Sequence, residues 1–210
     1  MVDSQDEAAK DEAHRLEMIE LKKKQDEEVR SKKDKKGLLI VNTGDGKGKS
    51  TSGFGLALRA AGHGFRVAVV QFTKGSWKTG EAEAFKRFPE IDHFIVGDGF
   101  TWDTQNRQED MRRAAEGFSL AQRLIEECRG EQPKYQLIVL DELNIVTRYQ
   151  YLPIELVVSA LAQRPPNLHV CVTGRDADPS LIAIADTVTE MRAVKHAYDA
   201  GVRAQRGVEF

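Results

Sequence analysis

An α/β fold built on a mostly parallel sheet, with helices on both faces, is predicted by three observations. Four apolar runs, at residues 38–41, 67–72, 137–140 and 168–172, alternate with segments of helical periodicity. A glycine-rich stretch, Thr43-Gly44-Asp45-Gly46-Lys47-Gly48-Lys49-Ser50, follows the first run and leads into a helical pattern. An acidic pair, Asp141-Glu142, closes the third run. Strands covered on both faces read as continuous apolar stretches, and a ligand site then lies at their carboxyl ends.

The chain starts differently from how it continues. Between Asp3 and Lys36, 21 of 34 residues are charged, 11 acidic and 10 basic, with no glycine or proline. Such a segment forms either a helix laced with i,i+4 pairs or a solvated tail. As a helix it would run on the order of 50 Å. Two regions follow: a charged extension over 1–36 and an α/β domain over 37–210.

Bulk properties narrow the function. A length of 210 residues suits one core. A net charge of -2 gives no global field for nucleic acid or for a membrane surface. No apolar run approaches the ~20 residues of a membrane span, and the N-terminus lacks a signal-peptide core. Cys128 and Cys171 sit far apart in apolar stretches, with neither disulfide nor zinc spacing. A cytoplasmic protein with reduced cysteines is expected.

Along the domain, Phe54, Ala57, Leu58 and Ala61 mark a helix after the glycine-rich stretch. Met111, Ala114, Ala115, Phe118, Ile125 and Cys128 mark a second, and Leu156, Val157, Ala160 and Leu161 a third. Weaker strand signals lie at 93–96 and 187–191.

Strand, glycine-rich turn and helix in that order are the context of a phosphate-binding loop. Glycines let successive backbone N–H groups turn around an anion, and the helix N-terminus adds its dipole. Lys49 adds a mobile charge, and the Ser50 hydroxyl suits magnesium. Thr51 completes the first helical turn. The usual spacing would place glycine at Thr43, so the match is imperfect. An ordinary Gly/Lys turn is the plain alternative, but it gives no reason to keep a lysine and a hydroxyl together at a helix start. An acid ending an apolar strand is the second half of such a site; capping of the next helix is its plain alternative. Thr173-Gly174-Arg175 closes another strand on the same rim, where Arg175 either reaches a phosphate or is a surface arginine. The expected fold is therefore P-loop NTPase-like, of the RecA-like kind.

The segment Gly97-Asp98-Gly99-Phe100-Thr101-Trp102-Asp103-Thr104-Gln105 carries two large aromatics two residues apart, which face one side if extended. They either pack down onto the domain or offer a surface to a flat ligand.

Several blocks in order resemble the P-loop ATP:corrinoid adenosyltransferases. They are the loop at 43–50, Val69-Val70-Gln71-Phe72-Thr73-Lys74-Gly75, the segment from Gly99 to Arg107, Val139-Leu140-Asp141-Glu142-Leu143, Tyr149-Gln150-Tyr151-Leu152-Pro153, Thr173-Gly174-Arg175, Ala185-Asp186-Thr187-Val188, and residues 194–202. The resemblance implies transfer of the 5′-deoxyadenosyl group of ATP to Co(I) of a reduced corrinoid, cobalamin or cobyrinic acid a,c-diamide, with release of triphosphate. It implies Mg2+ or Mn2+ held by Ser50 and Glu142, and a nucleotide cradle of residues 43–51 with Arg175. It gives Lys49, Phe100 and Trp102 catalytic parts, the two aromatics excluding the lower cobalt ligand so that Co(II) can be reduced. It also implies a flavin-type protein reductant, a homodimer, and an N-terminal helix that closes over the corrinoid. The family commonly has threonine at position 50 and asparagine at position 45, where this chain has Ser50 and Asp45. The chain lacks the D-x-H-x-x-G pattern of proteins that ligate cobalt through histidine, so His196 reads as a hydrogen-bonding or surface residue. A conventional P-loop ATPase or kinase, and a non-catalytic corrinoid-binding module, are the competing readings.

Overall fold

The computed structural model describes residues 4–73, 79–96 and 106–209. The chain divides into two compact units, Met1–Lys35 and Lys36–Phe210. The first holds a single helix, α1 (Ser4–Ser31). Its sparse apolar residues (Leu16, Met18, Ile19, Leu21 and Val29) are exposed and form no buried stripe. Local ion pairs support it: Arg15–Glu12, Lys24–Glu20 and Lys32–Glu28, all at i,i+3 or i,i+4 spacing.

The second unit runs β1 (Leu39–Thr43), α2 (Lys49–Gly62), β2 (Val67–Gln71), α3 (Gly80–Phe85), β3 (Ile91–Ile95) and α4 (Arg107–Glu126). It continues with β4 (Leu137–Asp141), α5 (Leu143–Arg148), α6 (Ile154–Ala162), β5 (His169–Thr173), α7 (Pro179–Ile184) and β6 (Thr187–Glu190). The six strands form one sheet in the order β3-β2-β4-β5-β1-β6. Every pairing is parallel. All six strand signals in the sequence correspond to strands, the two weaker ones lying at the edges.

Alternation along the strands explains the two layers of helix. Ala68, Val70, Ile138, Leu140, Val170 and Val172 pack with Ala114, Phe118, Ala121 and Leu124 of α4 and with Val157 and Leu161 of α6. Their sequence neighbours Val67, Val69, Leu137, Val139 and Cys171 pack on the opposite face with Phe54, Ala57 and Ala61 of α2 and with Phe85 of α3. Two apolar faces are what make the strand sequences read as unbroken runs. The helical stripes are narrower than the sequence suggests. Leu58, Ala115 and Leu156 are exposed, because a helix lying on a flat sheet buries only residues near its line of contact.

This architecture brings the ends of β1, β2, β4 and β5 to one rim. The strand carrying the glycine-rich loop, β1, and the strand carrying the acidic pair, β4, are separated only by β5.

Candidate functional site

The loop between β1 and α2 has the backbone its glycines permit. Gly44 and Gly48 have φ of 93° and 109°, in the left-handed region that side chains disfavour. Gly46 is needed for a different reason: a Cβ there would lie 2.7 Å from the backbone of Arg192. The exit of β6 packs directly against the loop, and the Gly46 N–H donates to Met191 O at 2.7 Å. One side of the loop is thus fixed by the end of an edge strand.

Helix α2 begins at Lys49 with no side-chain cap and no acid in its first turn. No carboxylate of the helix's own first turn therefore opposes its dipole at the loop. Lys49 is 8% exposed, and its Nζ donates to Gly46 O at 2.6 Å. Burial pushes its pKa below the ordinary lysine value, while the Glu142 carboxylate opposes that shift. A buried ammonium whose hydrogen bond goes to its own loop is placed to receive an anion. Ser50 is half-buried and Thr51 exposed in the same turn.

On the neighbouring rim, Asp141 is fully buried at the end of β4. Its Oδ1 accepts from Thr173 Oγ1 at 2.7 Å and its Oδ2 from Gln71 Nε2 at 2.9 Å. Glu142 follows in a left-handed conformation, φ 62°, at the start of α5. It does not cap that helix with its side chain, so the plain alternative of a helix cap does not hold. Its N–H donates to Thr173 Oγ1 at 3.0 Å. Glu142 lies within electrostatic reach of Lys49 across this rim.

Among the described residues no group of three or more His, Cys, Asp or Glu could by itself hold a metal. Ser50 in the first turn of α2 and Glu142 at the start of α5 are one hydroxyl and one carboxylate at this rim; a magnesium ion, which keeps waters and phosphate oxygens, would need few protein ligands beyond these.

The other expected site residues divide. Arg175 lies on the loop: its NH2 donates to Asp45 O at 3.5 Å, and its Nε is 3.8 Å from Asp45 Oδ1. Lys47 pairs with the carboxylate of Glu209. The Thr43 hydroxyl accepts from Ala177 N at 3.0 Å, which ties β1 to the segment after β5. Phe100 and Trp102 lie outside the described residues. His196 is half-buried, and its Nδ1 accepts from Tyr198 N at 3.0 Å. Sequence reasoning missed Gln71, Thr173 as a hydrogen-bonding residue, the Met191–Arg192 buttress and Glu209. A signal existed for the first two: Gln71 is the lone polar residue within an apolar run, and Thr173 directly follows one.

Comparison with known proteins decides the family. The family model described as ATP:corrinoid adenosyltransferase BtuR/CobO/CobP matches residues 35–210. The chain belongs to that family. A corrinoid adenosyltransferase of Pseudomonas aeruginosa is 48% identical over 202 residues, which span 96% of this chain and 97% of that protein. A corrinoid adenosyltransferase of Escherichia coli K12 is 42% identical over 200 residues, spanning 95% of this chain and 99% of that protein. A third, from Salmonella typhimurium, is 40% identical over 200 residues, 95% and 99% of the two chains. The protein is an ATP:corrinoid adenosyltransferase, an alkyl-group transferase, and neither a conventional ATPase or kinase nor a passive corrinoid carrier is favoured. Among the described residues no helix is long and apolar enough to cross a membrane.

Proposed function

We propose that this adenosyltransferase binds the triphosphate of ATP in the loop at 43–51 as a leaving group and presents the ribose C5′ to the corrinoid. The observation that carries this reading is the buried Lys49 ammonium at the uncapped start of α2, within electrostatic reach of Glu142. In the transfer, the electron pair of Co(I) forms a bond to C5′. The C5′–O bond breaks, and its electrons leave with triphosphate. The protein's task is to receive that charge. Loop N–H groups, the α2 dipole and Lys49 are fixed donors aimed at the departing oxygens, which is the efficient way to stabilise charge that develops in a transition state. Arg175 flanks the loop and adds positive potential. Ser50 and Glu142 would hold magnesium, which supplies further neutralisation of the triphosphate.

Phe100 and Trp102 lie beneath the corrinoid in this reading and exclude its lower ligand and water. A donor in that position raises the orbital that must accept an electron, so its removal lets a flavin-type protein reduce Co(II) to Co(I). The enzyme works as a homodimer. The cytoplasm is the compartment we assign, in keeping with the free, buried Cys128 and Cys171.

The test is an anaerobic assay with ATP, magnesium, a strong reductant and cobalamin, following the absorption spectrum of the corrinoid and the phosphate products. Adenosylcorrinoid and triphosphate should appear in equal amounts. Corrinoid-independent release of orthophosphate or ADP would overturn the assignment of the loop's role.

A further inference from the structure

A row of polar side chains crosses the sheet at its carboxyl rim, on the face that α2 covers. Gln71, Asp141 and Thr173 are the last residues of β2, β4 and β5, three strands adjacent in the sheet. Gln71 and Asp141 are in register. All three are at most 2% exposed, so each hydrogen bond they make replaces one that water cannot supply.

The bonds have a single consistent direction. Asp141 is an acceptor at both oxygens, toward Thr173 Oγ1 and Gln71 Nε2. A carboxylate that accepts from the Gln71 amide nitrogen fixes the orientation of that amide. The Gln71 oxygen must then face His93, whose Nε2 lies 2.7 Å away and must carry the proton. At the other end, the Thr173 hydroxyl spends its one proton on Asp141, so its oxygen is left to accept the Glu142 N–H. That last bond holds Glu142 at φ 62°, a left-handed conformation that a residue with a Cβ disfavours. Such strain persists only where the surroundings over-determine it.

We propose that Gln71 is a positioning residue for the metal-side carboxylate: by orienting Asp141, and through it Thr173, it fixes the backbone of Glu142 and hence the aim of its side chain. This inference rests on the reading of Glu142 as a magnesium-side residue. Residues that orient a metal ligand typically change metal affinity by about 10–100-fold when altered, and Gln71 belongs to that class without touching nucleotide or metal.

The polarity of the row makes a charge-swap test possible. Gln71→Glu places two carboxylates where one acceptor is required. Adding Asp141→Asn restores every bond with the charge moved one residue: Glu at 71 accepts from His93 and from the Asn amide, and the Asn oxygen accepts from Thr173. The readout is manganese affinity of the ATP-bound full chain by electron paramagnetic resonance, alongside the magnesium dependence of kcat and KM and the thermal midpoint. Gln71→Glu should weaken manganese about tenfold or more and leave the KM for corrinoid unchanged, and the double variant should recover to within about threefold of the parent. Thr173→Val, which breaks the row without adding charge, should weaken manganese similarly, and it covers the case in which Gln71→Glu fails to fold. A folded Gln71→Glu protein with parental manganese affinity, or a double variant no better than the single, overturns the proposal. Glu142→Gln separates the two layers of inference. If it leaves manganese affinity unchanged, the reading of Glu142 fails and the Gln71 proposal with it. If it weakens manganese while Gln71→Glu and Thr173→Val do not, only the Gln71 proposal fails.

Discussion

Lys49 Nζ donates a 2.6 Å hydrogen bond to the carbonyl oxygen of Gly46, three residues back in its own loop. The ammonium is almost completely buried, and its pKa is lowered by that burial. In the nucleotide-free protein this arrangement is a cost, because burial of the charge outweighs the compensation from the Gly46 carbonyl and the Glu142 carboxylate. Triphosphate would supply the missing partner. Lys49→Ala should therefore lower kcat about 10²–10³-fold, the scale for loss of one preorganised donor to developing charge. Its thermal midpoint without ligand should equal or exceed that of the parent. A large drop in that midpoint would show that Lys49 serves the fold more than the phosphates.

Asp45 places a carboxylate on the loop that must receive a polyanion, and it is exposed and paired only loosely with Arg175 at 3.8 Å. At roughly 7 Å in water, one unit charge is worth about 0.6 kcal/mol against another. Asp45→Asn should then tighten ATP binding roughly threefold at low ionic strength, and the gain should shrink as salt screens the repulsion that was removed, both measurable by calorimetric titration at two ionic strengths. Equal affinities for variant and parent would remove the idea.

The parts of this site that the sequence disclosed are local, and the parts it hid are distant. Residues 43–50 carry the pattern of a phosphate loop because strand, glycines, lysine and helix start are contiguous. Glu142 is legible because it follows directly on an apolar strand. Asp141 and Thr173 directly follow apolar runs and Gln71 interrupts one near its end, and that pattern is visible in the sequence. Their union is not, since it depends on a strand order that puts β2, β4 and β5 side by side. The contacts of Gly46 with Met191 and Arg192, and of Lys47 with Glu209, span more than 140 residues and leave no periodic trace. Short helices such as α3, α5 and α7 carry too few turns to show a stripe, whereas α4, at 20 residues, does.

Asp186 ties the opposite end of the sheet together. Its carboxylate accepts from Leu39 N at 2.8 Å and from Arg164 at 3.0 Å, and it pairs with Lys36. The Leu39 N–H, followed by Lys36, holds its pKa below the usual aspartate value. A depressed carboxylate pKa means the folded state favours the ionised form, so the contribution is complete above the unfolded pKa near 3.8 and disappears as pH falls through the folded one. Asp186→Asn should lower the thermal midpoint at pH 7, and the gap from the parent should close below about pH 4. A gap that stays constant into acid would assign the effect to shape rather than charge.

Trp102 gives the sharpest separation between electron transfer and alkyl transfer. In the proposed function it acts before the carbon–cobalt bond forms, by keeping a lower ligand away from Co(II) so that the reductant can deliver its electron. Lys49 acts afterwards, on the leaving triphosphate. Trp102→Ala should therefore fail with Co(II) corrinoid and a flavin-type donor yet regain much of its rate when Co(I) is generated chemically. Lys49→Ala should stay slow under both conditions. Burial alone cannot produce that contrast, because a packing defect would slow both reactions together. If Trp102→Ala were as impaired with pre-reduced Co(I) as with Co(II), the aromatic would belong to corrinoid binding or to the fold, and the exclusion of the lower ligand would have to rest on other residues.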